Sequence, residues 1–169
     1  YDILGLVQNA NLFEEREISF EETSQVAKTL VGKRTQEYPA YSSKPVQGKP
    51  LFMWAREGKL DTIHIPTHEV EIFEIAALSH KTISGKELLD EIDKKVSLVH
   101  GDFRQAHIMQ VWQDALLHLR DTTFYISTLH ARVSSGAYIR TLVHEMGKQA
   151  GTHATTFHIV RKKIGEFSI

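Results

Sequence analysis

FYISTLHARVSSGAYIRTLVHEMG, residues 124 to 147, is the stretch that decides the fold. Its first ten residues, Phe124 to Val133, carry β-branched and aromatic side chains in partial alternation, which is typical of a strand. Gly136 then interrupts the pattern, and glycine is the residue that a tight turn accepts most easily. The stretch therefore begins with a strand that ends in a turn.

The residues after this turn predict a helix. Apolar side chains recur at four-residue spacing, at Tyr138, Leu142 and Met146. A glycine commonly follows the last turn of a helix, so we expect this helix to end at Gly147 or Gly151. The whole stretch is thus a strand, a tight turn and a helix.

The first turn of this predicted helix carries two side chains of chemical interest, Tyr138 and Arg140. A helix that follows a strand begins with unpaired backbone N–H groups and the positive end of the helix dipole, which favour an anionic ligand. Arg140 adds a positive charge at the same place. The spacing alone leaves the alternative open that Arg140 is a solvated surface residue and Tyr138 a core aromatic.

Composition sets broad limits on the class of protein. At 169 residues, with 41% apolar and 24% charged residues, the chain is long enough for one domain, or for one domain with an appended subdomain. It contains no cysteine, which excludes disulfides and thiolate sites and fits a reducing compartment such as the cytoplasm. No apolar run is long enough to span a bilayer, and the net charge of -1 limits nucleic-acid binding to a local patch.

Local signals predict the other elements. Two capping boxes, each with a serine followed three residues later by a glutamate, predict helices that begin after Ser19 and Ser84, and the first helix closes at Gly32. Periodic apolar residues predict one more helix, and β-branched residues predict three more strands. These four elements are Phe103 to Leu119, Thr62 to Ile65, Glu69 to Ala77 and Thr155 to Val160.

The stretch from Lys33 to Gly58 combines positive charge with aromatic rings. It contains five lysines or arginines against two glutamates, and its aromatic residues are Tyr38, Tyr41, Phe52 and Trp54. Basic side chains neutralise phosphates and aromatic rings stack on unpaired bases, so this combination is typical of RNA-binding loops. Its prolines and glycines predict mostly loop, with a short helix from Pro50 to Gly58. The alternative is a solvated charged loop whose aromatics pack on the core.

The ten histidines do not form a metal-binding pattern. Only two loose pairs occur: His64 and His68 are separated by a proline, and His153 and His158 lie around a predicted strand. We therefore expect no metal site. The chain also lacks the Gly-x-Ser-x-Gly, P-loop and Gly-x-Gly-x-x-Gly motifs.

Three segments together resemble one family, the TruB-type tRNA pseudouridine-55 synthases. The family's G-T-Y-I-R-x-L resembles Gly136 to Leu142, and its closing L-R-R-x-x-I-G-x-F resembles Ile159 to Phe167. Its motif Q-x-P-x-Y-S-A-x-K-x-x-G-x-x-x-Y-x-x-A-R-x-G is matched at Gln36, Pro39, Tyr41, Ser42, Ser43, Gly48, Lys49, Phe52, Ala55, Arg56 and Gly58. The order and spacing agree, and the resemblance covers residues 2 to 73 and 124 to 169.

The sequence departs from the family pattern at several positions. Pro45 stands where the family has lysine, with Lys44 one place earlier, and Phe52 replaces a tyrosine. Val133 replaces a common cysteine and Val160 an arginine. These changes weaken particular RNA contacts. Residues 84 to 121 form a helical insert that is longer than the usual connection in the family, and we assign it no function from the sequence.

The resemblance implies an α/β (α+β) fold with a mixed, largely antiparallel sheet and packed helices, similar to the pseudouridine synthase core. In that family the catalytic aspartate lies in a G-x-L-D-P-x-A-x-G segment, which we expect ahead of Tyr1. Residues 1 to 169 would then be the C-terminal larger part of an N-terminally truncated catalytic domain. Gly58-Lys59-Leu60-Asp61 copies the first four letters of that segment but lacks its proline and glycine, so we interpret it as a coincidence.

The resemblance also implies roles for individual residues. Arg140 would keep the nucleophilic aspartate charged, and Tyr138 would line the same pocket. Ile159 would press on the flipped base. Residues 33 to 66 resemble a thumb-like loop that closes over the RNA. The implied RNA contacts are Tyr41, Lys44, Lys49, Arg56, Arg161 and Lys162.

The predicted partner is the T-arm of tRNA. The predicted reaction is the isomerisation of uridine 55 to pseudouridine, without a cofactor, a metal or a membrane. We expect a monomer for the full-length protein and no activity for these residues alone. The alternative is a non-catalytic RNA-binding module that keeps the loop and the pocket wall but lacks the nucleophile. An unrelated histidine-dependent hydrolase is a more distant alternative.

Overall fold

The structure, a computed structural model, describes residues 16 to 168. Its elements in chain order are α1 (Phe20–Thr29), β1 (Gly32–Glu37), β2 (Pro45–Val46), β3 (Lys49–Pro50), α2 (Leu51–Arg56), a 3₁₀ turn (Leu60–Thr62), β4 (Thr67–Ser84), α3 (Gly85–Ser97), α4 (Gln105–Leu116), β5 (Thr123–Val133), α5 (Ile139–Gln149), β6 (Lys163–Ile164) and β7 (Phe167–Ser168). The strand pairs in this part of the chain are antiparallel. The predicted fold class, helices with a largely antiparallel sheet, is confirmed.

A three-stranded sheet with the order β1-β4-β5 organises the fold. The first part of β4 pairs with β1, with Ile72 opposite Gly32 and Thr67 opposite Glu37. The remainder of β4 pairs with β5 up to Ser84, and two register shifts along this pair indicate bulges. Ile72 also pairs with Val133 at the end of β5. The turn that follows β5 is therefore held next to β1 and the first part of β4.

Apolar side chains are buried in two separate clusters. One lies between the sheet, α1 and α5, and its buried members are Ala27, Leu30, Ile72, Ile75, Leu142 and Met146. The other lies within the insert, and its buried members are Leu88, Leu89, Ile92, Val96, Ile108, Trp112 and Leu116. Full burial of such a side chain stabilises by roughly 1.5–3 kcal/mol. The insert thus has a core of its own.

Both predicted capping boxes are present. Ser19 Oγ accepts from the Glu22 N–H at 3.1 Å, and the Glu22 carboxylate accepts from the Ser19 N–H at 3.0 Å. Ser84 and Glu87 make the same pair of bonds at 3.2 and 2.8 Å. The hydrogen bond from the serine N–H is the main cause that lowers the pKa of each glutamate. α1 and α3 therefore begin where the sequence predicts.

Three predictions about strands are wrong. Thr62 to Ile65 lie at the end of the 3₁₀ turn and in an irregular stretch before Pro66, which has no N–H to donate to a sheet. Thr155 to Val160 contain a single bridge residue and no strand. Conversely, the residues from Gly32 to Glu37, which the sequence analysis placed largely in a loop, form β1. β1 lies at the edge of the described sheet, where strands commonly carry charged and polar side chains. Its sequence therefore lacks the apolar alternation from which a strand is predicted.

Gly147 lies inside α5 and does not terminate it. A β-carbon at this position would overlap the Ala154 backbone nitrogen, so only glycine lets the returning chain pack against the helix. α5 ends at Gln149, and Gly151, with φ of 65°, is the left-handed residue that follows. The second of the two predicted helix ends is therefore confirmed. In the described part of the chain, every helix is too short or too polar to cross a membrane.

Candidate functional site

The turn after β5 positions Tyr138 and Arg140. Gly136 takes up a φ of 84°, which a residue with a side chain rarely adopts. Ser134 fixes the turn on β4, because its N–H donates to the Glu71 carbonyl at 2.8 Å and its Oγ accepts from the Glu71 N–H at 2.9 Å. Tyr138 is the N-cap residue of α5, so it lies just before the first turn in which the sequence predicts it. Arg140 lies in the first turn, as predicted.

Gln36 of β1 holds Tyr138 at the start of α5. The Gln36 side chain is completely buried. Its Oε1 accepts from the Tyr138 N–H at 3.0 Å, and its Nε2 donates more weakly to the Tyr138 carbonyl at 3.5 Å. The Gln36 amide therefore bonds both the N–H and the carbonyl of the N-cap residue. It does so at the start of a helix, where backbone N–H groups have no partner within the helix. In the sequence, Gln36 stands out only as one position of a family motif, and no pattern there predicts this role.

Three rings pack together beside this turn. Tyr38 and His68 are stacked with their centroids 4.2 Å apart, and the Tyr138 ring meets each of them edge-on at 5.9 Å. His68 Nε2 lies 3.1 Å from the Gly136 carbonyl oxygen, which can only accept, so this nitrogen carries a hydrogen. His68 Nδ1 is buried and has no hydrogen-bond partner among the described residues. His68 thus belongs to this site. From the sequence, it is a candidate only for metal binding.

A cation lies over each of four aromatic rings in and around the loop of residues 33 to 66. The pairs are Lys44 over Tyr38 at 4.9 Å, Lys49 over Trp54 at 3.7 Å, Arg56 over Phe52 at 5.4 Å and Arg104 over Tyr41 at 5.7 Å. Each pair lies within the distance of a cation–π interaction. The basic and aromatic residues that the sequence analysis singled out are therefore neighbours in space as well as in the chain.

The candidate phosphate contacts of this loop differ in their existing partners. Lys49 Nζ lies 2.7 Å from the Glu57 carboxylate, and Lys59 Nζ lies 3.5 Å from it. The hydrogen bond from Lys49 is the main cause that lowers the pKa of Glu57. Among the residues that the structure describes, Lys44 and Arg56 have no carboxylate within 4.0 Å. These two cations can therefore bind a phosphate without first breaking an ion pair.

The other predicted site residues lie on the surface. Ile159 is 45% exposed, and Arg161 and Lys162 follow it on the exposed segment before β6. Their contacts with RNA stay predictions. Asp61 lies in the exposed 3₁₀ turn after the loop. Between residues 16 and 168, no three His, Asp or Glu side chains are grouped so that they could hold a metal ion.

His144 is a titratable group on α5, four residues after Arg140. Its side chain is only partly exposed, and this burial is the main cause that lowers its pKa, followed by the positive charges of Lys148 and His153. All three causes disfavour the imidazolium form. His144 is therefore held towards its neutral form on the helix that carries the site.

We expect His144 to make the protein less stable in acid. Because its pKa is lower in the folded than in the unfolded chain, the unfolded chain binds more protons between the two values, and stability falls as the pH drops below about 6.5. Urea unfolding between pH 5 and 8 measures this slope, which should be smaller in His144→Gln. The exposed His107→Gln serves as the control. An unchanged slope in His144→Gln would contradict the assignment.

Comparison with known proteins identifies similar chains. A family model described as "TruB family pseudouridylate synthase (N terminal domain)" matches residues 2 to 103. The tRNA pseudouridine synthase B of Thermotoga petrophila is 30% identical over 171 residues, which cover all of this chain and 40% of that protein. The corresponding protein of Fusobacterium nucleatum is 28% identical over 169 residues, 42% of its length. The tRNA pseudouridine synthase 4 of Saccharomyces cerevisiae is 24% identical over 200 residues, with 99% of this chain and 49% of that protein covered. The chain spans less than half the length of these relatives.

Proposed function

We propose a function from one premise, that the chain belongs to the TruB family of pseudouridylate synthases. The function is the isomerisation of uridine to pseudouridine in tRNA, at position 55 of the T loop. The observation that supports it most is the start of α5, where buried Gln36 fixes Tyr138 and Arg140 follows in the first turn. An aromatic side chain and a cation thus stand together at the start of one helix, which supports the roles that we propose for them.

The reaction rearranges one base without a redox step. The N1–C1′ glycosidic bond breaks, the uracil rotates, and a C5–C1′ bond forms, while the C5 hydrogen leaves as a proton and N1 gains one. The target base must leave its stack to be reached. We take the nucleophile to be the family aspartate expected ahead of Tyr1. A guanidinium next to that carboxylate favours its charged, nucleophilic form, and we assign this role to Arg140.

The loop of residues 33 to 66 is the proposed RNA-binding surface. Lys44 lies over the ring of Tyr38 and Arg56 over the ring of Phe52, so this surface combines positive charge with aromatic rings. Cations position an RNA through its phosphates, while ring faces receive unstacked bases. This surface includes Tyr41, and we extend it on the C-terminal segment to Arg161 and Lys162.

Tritium release tests the proposed reaction. The complete gene product is incubated with a tRNA transcript that carries uridine labelled with tritium at C5, because this hydrogen is lost when the C5–C1′ bond forms. We expect release of one tritium per tRNA, and none from a transcript with cytidine at position 55. Binding of the transcript without release would overturn the enzymatic proposal and favour the non-catalytic RNA-binding module.

A further inference from the structure

The helical insert reaches the RNA-binding loop. Its two helices, α3 and α4, are joined by residues 98 to 104, which we call the insert tip. The guanidinium of Arg104 at the end of the tip lies 5.7 Å from the centroid of the Tyr41 ring. From this contact we propose that the insert tip binds an unpaired nucleotide of the RNA, with Phe103 stacking on the base and Arg104 contacting a phosphate. The identity of that RNA as tRNA rests on the proposed function.

Phe103 presents an open ring face. Its side chain is 60% exposed, although burial is the usual state of a phenylalanine. One edge of the ring rests against Gly101, where a β-carbon would lie 3.1 Å from Phe103 Cε2. Glycine at this position therefore leaves room for the ring. An exposed aromatic face supported from one side is suited to stacking on an unpaired base.

Arg104 presents a charge that no acidic side chain neutralises. Within the described part of the chain, no carboxylate lies within 4.0 Å of its guanidinium. The nearby Asp102 carboxylate instead accepts from the Arg104 backbone N–H at 3.3 Å. Arg104 also has a φ of 63°, a left-handed conformation that is uncommon for a residue with a β-carbon. From this position the Arg104 side chain reaches the ring of Tyr41.

The side chain of Gln105 ties the backbone of the insert tip together. The Gln105 side chain accepts from the Phe103 N–H at 2.9 Å and donates to the carbonyls of Val99 at 3.0 Å and Gly101 at 2.6 Å. Three backbone groups of the tip are thus fixed by one side chain. A surface that is ordered in advance loses less entropy on binding, so more of the contact energy is available as affinity.

The position of the insert favours RNA over a protein partner. The tip contacts Tyr41 of the RNA-binding loop, and Lys95 of α3 lies 5.0 Å from the Phe157 ring, which packs on the core of the insert. Phe157 precedes the exposed segment with Arg161 and Lys162. The insert therefore contacts the RNA-binding loop and a residue shortly before the C-terminal segment, and the proposed function assigns RNA contacts to both of these segments. Phe103 and Arg104 repeat the aromatic and basic combination of the RNA-binding loop.

Measurement of tRNA affinity against salt concentration tests the proposal. In the complete gene product, we expect Phe103→Ala to weaken binding of a tRNA transcript about tenfold without changing the salt dependence. Arg104→Ala should weaken binding and lower the slope of log affinity against log salt by about one. The matched controls are Leu117→Ala, which removes another exposed apolar side chain of the insert, and Arg132→Ala, an arginine 5.1 Å from the Phe73 ring on the sheet. Both controls should bind like the unmodified protein.

The outcomes separate this inference from the proposed function. If the unmodified protein forms pseudouridine and both tip variants bind tRNA as it does, the tip does not contact RNA and the inference is wrong. If no pseudouridine forms but Phe103→Ala still weakens RNA binding, the inference holds while the proposed reaction fails. If Phe103→Ala changes only the self-association of the protein, measured by sedimentation, the tip docks protein and the inference is wrong. Unchanged urea midpoints establish that both variants fold, as expected for exposed side chains.

Discussion

Arg140→Ala in the complete protein should lower the rate of pseudouridine formation by at least about a hundredfold and leave tRNA binding nearly unchanged. In the proposed mechanism its guanidinium keeps a buried aspartate ionised, and without it the carboxyl group tends to take up a proton and lose its nucleophilicity. Breaking a buried charge pair by removing one partner costs about 3–5 kcal/mol, and each 1.36 kcal/mol of barrier is tenfold in rate. The loss should therefore appear in the chemical step.

Single-turnover tritium release, with enzyme in excess over tRNA, isolates this step from binding. Arg132→Ala is the matched control, because Arg132 lies on β5, the strand that leads into the same turn, but is exposed and pairs with Glu74 at 3.8 Å. We expect the control to keep its single-turnover rate. Arg140→Lys should recover only part of the rate, since lysine supplies the charge without the planar fork. An equal loss of binding and rate in Arg140→Ala would make Arg140 a phosphate contact or a structural residue.

The stretch from Phe124 to Gly151 is predictable from sequence because its signals are local. A strand pattern, a glycine that permits a positive φ and four-residue apolar spacing each depend on neighbours within one or two turns. The structure contains this strand, turn and helix with boundaries shifted by one or two residues. The two capping boxes are predictable for the same reason, since serine and glutamate lie three residues apart and bond each other.

The contacts that complete the site join residues far apart in the chain, so local sequence patterns do not predict them. Gln36 and Tyr138 are 102 positions apart, and no pattern around Gln36 indicates that this polar side chain is buried. His68 likewise becomes part of a ring cluster only when β4 brings it next to Gly136. The predicted strand at Thr155 to Val160 fails in the opposite way, because β-branched residues favour a strand only where a partner strand is available.

Gln36→Ala should lower the free energy of unfolding by about 2–4 kcal/mol, through a cavity and through a backbone N–H that loses its acceptor. The Tyr138 carbonyl keeps a partner, because it also accepts from the Leu142 N–H at 3.1 Å. The Tyr138 N–H donates to Gln36 Oε1 at 3.0 Å. In the variant it would remain part-buried and would have no acceptor from the protein. We also expect slower pseudouridine formation, because the start of α5 would no longer be fixed against β1 and Arg140 would move with it. Urea unfolding measures the first effect and single-turnover tritium release the second.

Gln149→Ala is the control for Gln36→Ala, because Gln149 is an exposed glutamine whose Oε1 accepts a hydrogen bond from Thr29 Oγ at 2.7 Å. It should change the free energy of unfolding by no more than about 0.5 kcal/mol.

Gln36→Glu separates the two functions of the amide. It keeps an acceptor for the Tyr138 N–H but loses the donor and buries a charge, so it should destabilise at least as much as alanine at neutral pH and recover in acid, where the carboxyl group is protonated. If Gln36→Ala unfolds like the control, the amide does not hold the start of α5, and Arg140 must owe its position to other contacts.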